Sequence, residues 1–182
     1  MDHLWNRIET WLAANAPSIR AALASGASVE AIRRAEAKLQ VRLPDDVRTS
    51  YAIHDGSGFA ALLPFPLLSL QRMIQEWNNW KEWLQTGKFG DAESTPQGPI
   101  KTDWWNVRWI PFTHDGGGNH QCIDLDPAPG GEHGQVINFD HEVGATEVLA
   151  PSFRAYLATF GADLEAGCYA PWPDGQGLDR VA

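Results

Sequence analysis

Trp109-Ile110-Pro111-Phe112-Thr113-His114-Asp115-Gly116-Gly117-Gly118-Asn119-His120-Gln121-Cys122-Ile123-Asp124-Leu125-Asp126 is the stretch on which the fold turns. Two short apolar-rich runs, residues 107–113 and 120–125, flank Gly116-Gly117-Gly118-Asn119. A link so short and flexible closes a hairpin, because parallel strands need a crossover of about a dozen residues or more. Residues 135–140 and 146–149 continue the pattern beyond the turn-rich Asp126-Pro127-Ala128-Pro129-Gly130-Gly131. The reading is an antiparallel sheet of about four to six strands.

Helical periodicity brackets that sheet. Leu4, Ile8, Trp11 and Leu12 share one face, and Pro17 suits the first turn of a second helix. Ser28 reads as the N-cap of a helix over residues 29–40, with Val29, Ile32, Ala35 and Leu39 as its apolar stripe. Leu43-Pro44-Asp45-Asp46 opens another, predicted to run to Asp55-Gly56. Leu70, Met73, Ile74, Trp77 and Leu84 form the face of a fifth, which also carries Trp80 and Trp83. Residues 86–99 read as an exposed loop, and Ser152 caps a last helix faced by Phe153, Tyr156, Leu157, Phe160 and Leu164. Helices at both ends of one antiparallel sheet make the class α+β.

Composition narrows the function. The chain has 182 residues, 43 % hydrophobic and 20 % charged, as an ordinary globular domain does. Its formal charge of −9 repels phosphate backbones and anionic lipid, so nucleic acid and membrane surfaces are excluded as general partners. All of that excess lies beyond residue 50. No Lys or Arg falls between Arg108 and Arg154, an interval holding Asp115, Asp124, Asp126, Glu132, Asp140, Glu142 and Glu147. The longest apolar run, residues 59–68, is broken by Pro64 and Pro66 and is too short to span a bilayer. The first residues carry charge where a signal peptide needs an apolar core, so the expected location is the cytoplasm. Cys122 and Cys168 form no metal-type pair and have no adjacent activating cation.

These elements, in this order, resemble the SMI1/KNR4 family of the SUKH superfamily. The resemblance starts near Ile32 and Glu36 and passes through Leu43-Pro44-Asp45-Asp46 and Asp55-Gly56. It continues with Trp109-Ile110-Pro111-Phe112, the glycine turn, and Cys122-Ile123-Asp124-Leu125-Asp126. It closes with Gly134-Gln135-Val136-Ile137, Asp140-His141-Glu142 and Ser152-Phe153. It implies an α+β fold with a single antiparallel sheet flanked by N- and C-terminal helices. It covers about residues 29–164; the chain reads as one domain over residues 1–182, with a helical extension 1–28 and an irregular Gly/Pro-rich tail 165–182 outside the pattern. Many bacterial members are immunity proteins that block a toxin, whereas the fungal namesake regulates cell-wall synthesis through protein contacts. The family shares no catalytic residues, so no catalytic, metal-binding or cofactor-binding residue is assigned.

The expectation carried forward is a cytoplasmic, non-enzymatic immunity protein whose partner is a cognate toxin with a basic surface, a nuclease-type effector being compatible with the charge. The candidate contacts are the acidic residues Asp115, Asp124, Asp126, Glu132, Asp140 and Glu142, with Trp80 and Trp83 as aromatic anchors. A regulatory protein-interaction module is the alternative. A metal-dependent hydrolase would instead use His114, Asp115, His120, Asp124, Asp126, His133, Asp140 and His141. Those residues lack a metal-site spacing, and turn chemistry already accounts for the aspartates among them. Gly116-Gly117-Gly118 lacks the Lys-Ser/Thr of a phosphate loop. Nine tryptophans exceed what one core face needs, so Trp80, Trp83, Trp104 and Trp105 are candidates for the surface.

Overall fold

The computed structural model describes residues 1–63 and 65–181. Pro64, one of the two prolines in the apolar run, lies outside the described residues. The element order is α1 (Asp2–Asn15), α2 (Pro17–Ala22), α3 (Val29–Leu39), α4 (Asp45–Tyr51), α5 (Leu70–Gln85), β1 (Trp109–Pro111), β2 (His120–Asp124), β3 (Gln135–Asp140), β4 (Gly144–Ala150), α6 (Phe153–Glu165), β5 (Tyr169–Pro171) and β6 (Leu178–Arg180). Strands β1 to β4 form one antiparallel sheet in sequence order, and β5 pairs with β6 in a separate two-stranded ribbon. This is the α+β architecture read from the sequence.

The sheet is covered on both faces, which its cross-strand partners explain. In β2, Gln121 turns one way and accepts a hydrogen bond from Tyr156 Oη of α6 at 2.6 Å. Its neighbour His120 turns the other way and accepts one from Trp80 Nε1 of α5 at 2.9 Å. Every residue of β2 is therefore buried, and the strand does not show the in–out polarity of a one-sided sheet. The register pairs His120 with Phe139, and Trp109 with Asp124, setting these four on the α5 face.

Helix starts follow their caps. The Oγ atoms of Ser28, Ser69 and Ser152 each accept the backbone N–H three residues on. Gln40 takes the left-handed conformation that ends α3. Helix α4 stops at Tyr51, short of the predicted Asp55-Gly56. That pair acts instead on the next helix, where Asp55 Oδ1 accepts the Leu70 N–H at the head of α5. Gly56 sits beside it at φ 99°, where a Cβ would come within 2.8 Å of the Ser69 nitrogen.

Three expectations need correction. Val29 and Leu84, placed on apolar stripes, are exposed, each lying at an end of its helix. The tail is not irregular: β5 and β6 form a ribbon, and Ala61 bridges to Gly177 beside it. Strands of three residues are too short to reveal a period. Residues 1–28 are not an appendage either. Trp5, Ile8 and Leu12 are in the central hydrophobic cluster, and Trp5 Nε1 donates to Ser50 Oγ at 2.9 Å. Among the described residues, no helix is long and apolar enough to cross a membrane.

Candidate functional site

Strand direction divides the predicted acidic surface. Strands β2 and β3 are antiparallel, so the β1–β2 and β3–β4 turns meet at one end of the sheet and the β2–β3 turn lies at the other. Asp115, Asp140 and Glu142 therefore gather at the first end, while Asp126 and Glu132 lie about 14 Å away at the second. Asp126 is also neutralised locally, by Lys101 Nζ at 2.6 Å, which holds its carboxyl below the usual range. Asp124 belongs to neither group. It is buried on the α5 face, accepting from Gln135 Nε2 and the Asp126 N–H, and burial raises its pKa. As a surface contact it is withdrawn.

The first end is built by a side chain that sequence reasoning missed. Asn119 Nδ2 donates to Asp115 Oδ2, and Asn119 Oδ1 accepts the His141 N–H at 3.0 Å, so one amide locks two turns together. Asp115 Oδ1 accepts the N–H groups of Gly117, Gly118 and Asn119. Burial pushes the Asp115 carboxyl upward, but these hydrogen bonds outweigh it and hold the group below its ordinary value. The signal in the sequence is the Asp-Gly-Gly-Gly-Asn pattern, which reports a turn and not its neighbour.

The tryptophans sort by depth. Trp80 is buried, correcting its assignment to the surface. It lies at the centre of an aromatic cluster, stacked on Trp105 at 5.2 Å and edge-on to Phe139 at 4.7 Å. Trp105 is buried as well, so it too leaves the set of surface candidates. Trp83 meets the edge of Trp80 at 4.8 Å and remains 37 % exposed. Together with Phe89, Lys88, Gly117, Gly118 and His141, Trp80 and Trp83 line a pocket of about 260 Å³. A larger cleft of about 780 Å³ opens on the other side of the β1–β2 turn, lined by His114, Asp115, Arg72, Leu68 and Trp172, with the exposed Phe59 at its rim.

The histidine cluster does not converge as a hydrolase would need, since His133 and Asp126 lie at the far end of the sheet. What does converge is Glu76, His114 and His120, with donor atoms within 4.8 Å of one another. Glu76, which no sequence pattern marks, is engaged by Arg72 Nη2 at 2.9 Å. Both nitrogens of His120 are committed: Nδ1 donates to the Thr113 carbonyl at 2.8 Å and Nε2 accepts from Trp80. An indole can only donate, so this bond fixes the tautomer. Burial lowers the His120 pKa to about 4, so the ring is neutral. Glu76 and His120 are thus already engaged by hydrogen bonds where α5 packs on the sheet.

Comparison with known proteins then decides the family. The model of the SMI1 / KNR4 family (SUKH-1) matches residues 26–159. The chain belongs to the SMI1/KNR4 family. Relatives of this SMI1/KNR4 chain include the glucan synthesis regulatory protein of Neurospora crassa, 30 % identical over 90 % of the chain and 38 % of that protein. The cell wall biosynthesis/cell cycle regulator smi1 of Schizosaccharomyces pombe is 32 % identical over 90 % of the chain and 36 % of its own length. The cell wall assembly regulator SMI1 of Saccharomyces cerevisiae is 28 % identical, with 90 % of the chain and 40 % of the regulator covered. The chain thus spans well under half the length of these relatives. All three are named as regulators, not as enzymes. The expectation of a bacterial immunity protein with a toxin as partner is overturned: the resemblance is to the right family, but charge is a poor guide to which branch.

Proposed function

We propose that this chain is a regulatory protein-interaction module of the cell-wall-synthesis type, acting in the cytoplasm, with residues 1–182 folding as one domain. The observation that carries this reading is its similarity to fungal cell-wall regulators over 90 % of its length. The face at the β1–β2 and β3–β4 turns supports it, with Trp83, Asp115, Asp140 and Glu142 as the contacts. These residues offer an aromatic anchor and uncompensated carboxylates, features that position a protein partner. The buried His120, by contrast, is engaged in hydrogen bonds through both nitrogens and carries no reacting group.

The test is a chimera. In Saccharomyces cerevisiae lacking the SMI1 regulator, a full-length regulator whose matched segment is replaced by this chain should restore wall assembly. The readouts are glucan content and survival of a wall-weakening dye. A chimera present at normal level that restores neither sinks the reading.

A further inference from the structure

Where α3 ends against α5, a small pocket of about 160 Å³ carries two cations and no carboxylate. Leu39, Val41 and Val107 give it apolar walls, and Gln40, Lys81 and Arg108 are its polar members. Both cations are half-buried, and the Lys81 ammonium is set 4.6 Å from the centre of the Trp77 ring. Among the described residues, the side chains of Gln40, Lys81 and Arg108 make no hydrogen bond and no ion pair within 4.0 Å. Asp126, the carboxylate that Arg108 influences through space, is already hydrogen-bonded to Lys101 and Asn106. Two positive charges are therefore left unmatched at one site, on a chain whose formal charge is −9. The C-terminal end of α3 supplies roughly half a negative charge, too little to neutralise them. Lys38, in the last turn of α3 and likewise without an ion pair, adds to the same sign. Gln40 is the one non-glycine residue with a positive φ, 57°, among the described residues, and that turn lays Gln40 and Val41 along the pocket.

We infer that this pocket receives one aspartate or glutamate side chain from an acidic segment of a partner protein, its carboxylate held by Lys81 and Arg108. The Gln40 amide offers a further donor. A volume of about 160 Å³ admits a single side chain and not a folded element. Val41 and Val107 suit the methylene stem of such a residue, while two cations with no acid beside them select an anion over a neutral or basic group. Partial burial strengthens that selection, because charges interact more strongly away from bulk water. The acidic remainder of the chain repels such a segment, so the pocket also fixes where it lands. This inference rests on reading the chain as an interaction module and names the chemistry of a partner segment.

Calorimetric titration of the whole protein with a capped tetra-glutamate peptide tests it, with tetra-arginine and inorganic phosphate as comparisons. Tetra-glutamate should bind, more weakly as salt is raised, and should shift the amide resonances of Gln40, Val41 and Val107. Tetra-arginine should leave those three amides unmoved. Lys81→Met and Arg108→Met keep an apolar stem and remove the charge, so each should weaken binding about tenfold with an unchanged melting curve. Arg154→Gln, which removes an exposed cation on α6, should leave binding as it is. The inference is overturned if tetra-glutamate does not bind, if either pocket variant binds it as the parent does, or if Arg154→Gln weakens it as much as Lys81→Met. Shifts of the three amides by tetra-arginine overturn it as well. If phosphate binds and tetra-glutamate does not, the pocket takes a free anion and the inference falls. The chimera separates the two levels. If the parent chimera rescues and the peptide fails to bind, only this inference falls. If the peptide binds and the chimera fails, it is the regulatory reading that falls.

Discussion

His120 is the residue whose chemistry most depends on its surroundings. In the sequence it belongs to a histidine- and aspartate-rich run, with nothing to distinguish a ligand from a core residue. In the fold it is fully buried, stacked against His114 at 4.9 Å and held by Thr113 and Trp80. Burial lowers its pKa from 6.5 to about 4, which makes it a titratable load on the native state. Unfolded chains take up a proton near pH 6.5, whereas the native ring refuses one until about pH 4. Stability therefore falls as pH drops through this window, by about 3 kcal/mol in full, and levels off below it. Urea unfolding at pH 7 and at pH 4.5 should record most of that loss. His120→Gln, which can still donate and accept, should remove this component of the pH dependence. An unaltered slope in the variant would reassign the effect to other groups.

At the scale of elements, caps and hairpins were legible because they rest on local chemistry. The Ser28 and Ser152 caps, strand β3 to the residue, and the hairpin order of the sheet all follow from short-range pattern. Tertiary capping was not legible. The head of α6 is held by Ser152 Oγ on the Ala155 N–H and also by Asp46, whose Oδ2 accepts the Arg154 N–H at 2.8 Å. Asp46 Oδ1 meanwhile accepts the Val47 N–H of its own helix. One carboxylate thus serves two helix starts 108 residues apart in sequence. Ser152→Ala should lower stability by about 1 kcal/mol. Asp46→Ala should cost about 2 kcal/mol, because donors on both α4 and α6 lose their partner. Chemical denaturation of the two variants checks the order, and equal effects would confine Asp46 to α4.

At the scale of the whole molecule, the family match and the folded unit do not share a boundary. The match begins at residue 26, yet α1 packs on α6, and Trp5, Ile8, Leu12 and Ile19 are buried. Burying a large apolar side chain is worth roughly 1.5–3 kcal/mol, so these four approach the whole stability of a typical domain, about 5–15 kcal/mol. A truncated protein beginning at residue 26 should therefore lose cooperative unfolding and near-ultraviolet aromatic ellipticity. A sharp thermal transition in that fragment would show that the N-terminal helices are dispensable.

By itself the sequence determined the fold class, the Ser28 and Ser152 caps, the order of the sheet and the family, since each rests on residues close in sequence or on their linear order. Tertiary structure alone decided which charges and tryptophans reach the surface. Antiparallel pairing sent Asp126 and Glu132 to one end of the sheet and brought Asp115, Asp140 and Glu142 together at the other. Packing of α5 on the sheet buried Trp80 and left Trp83, one turn further on, at the rim. Composition cannot predict such sorting, because burial depends on neighbours that are distant along the chain.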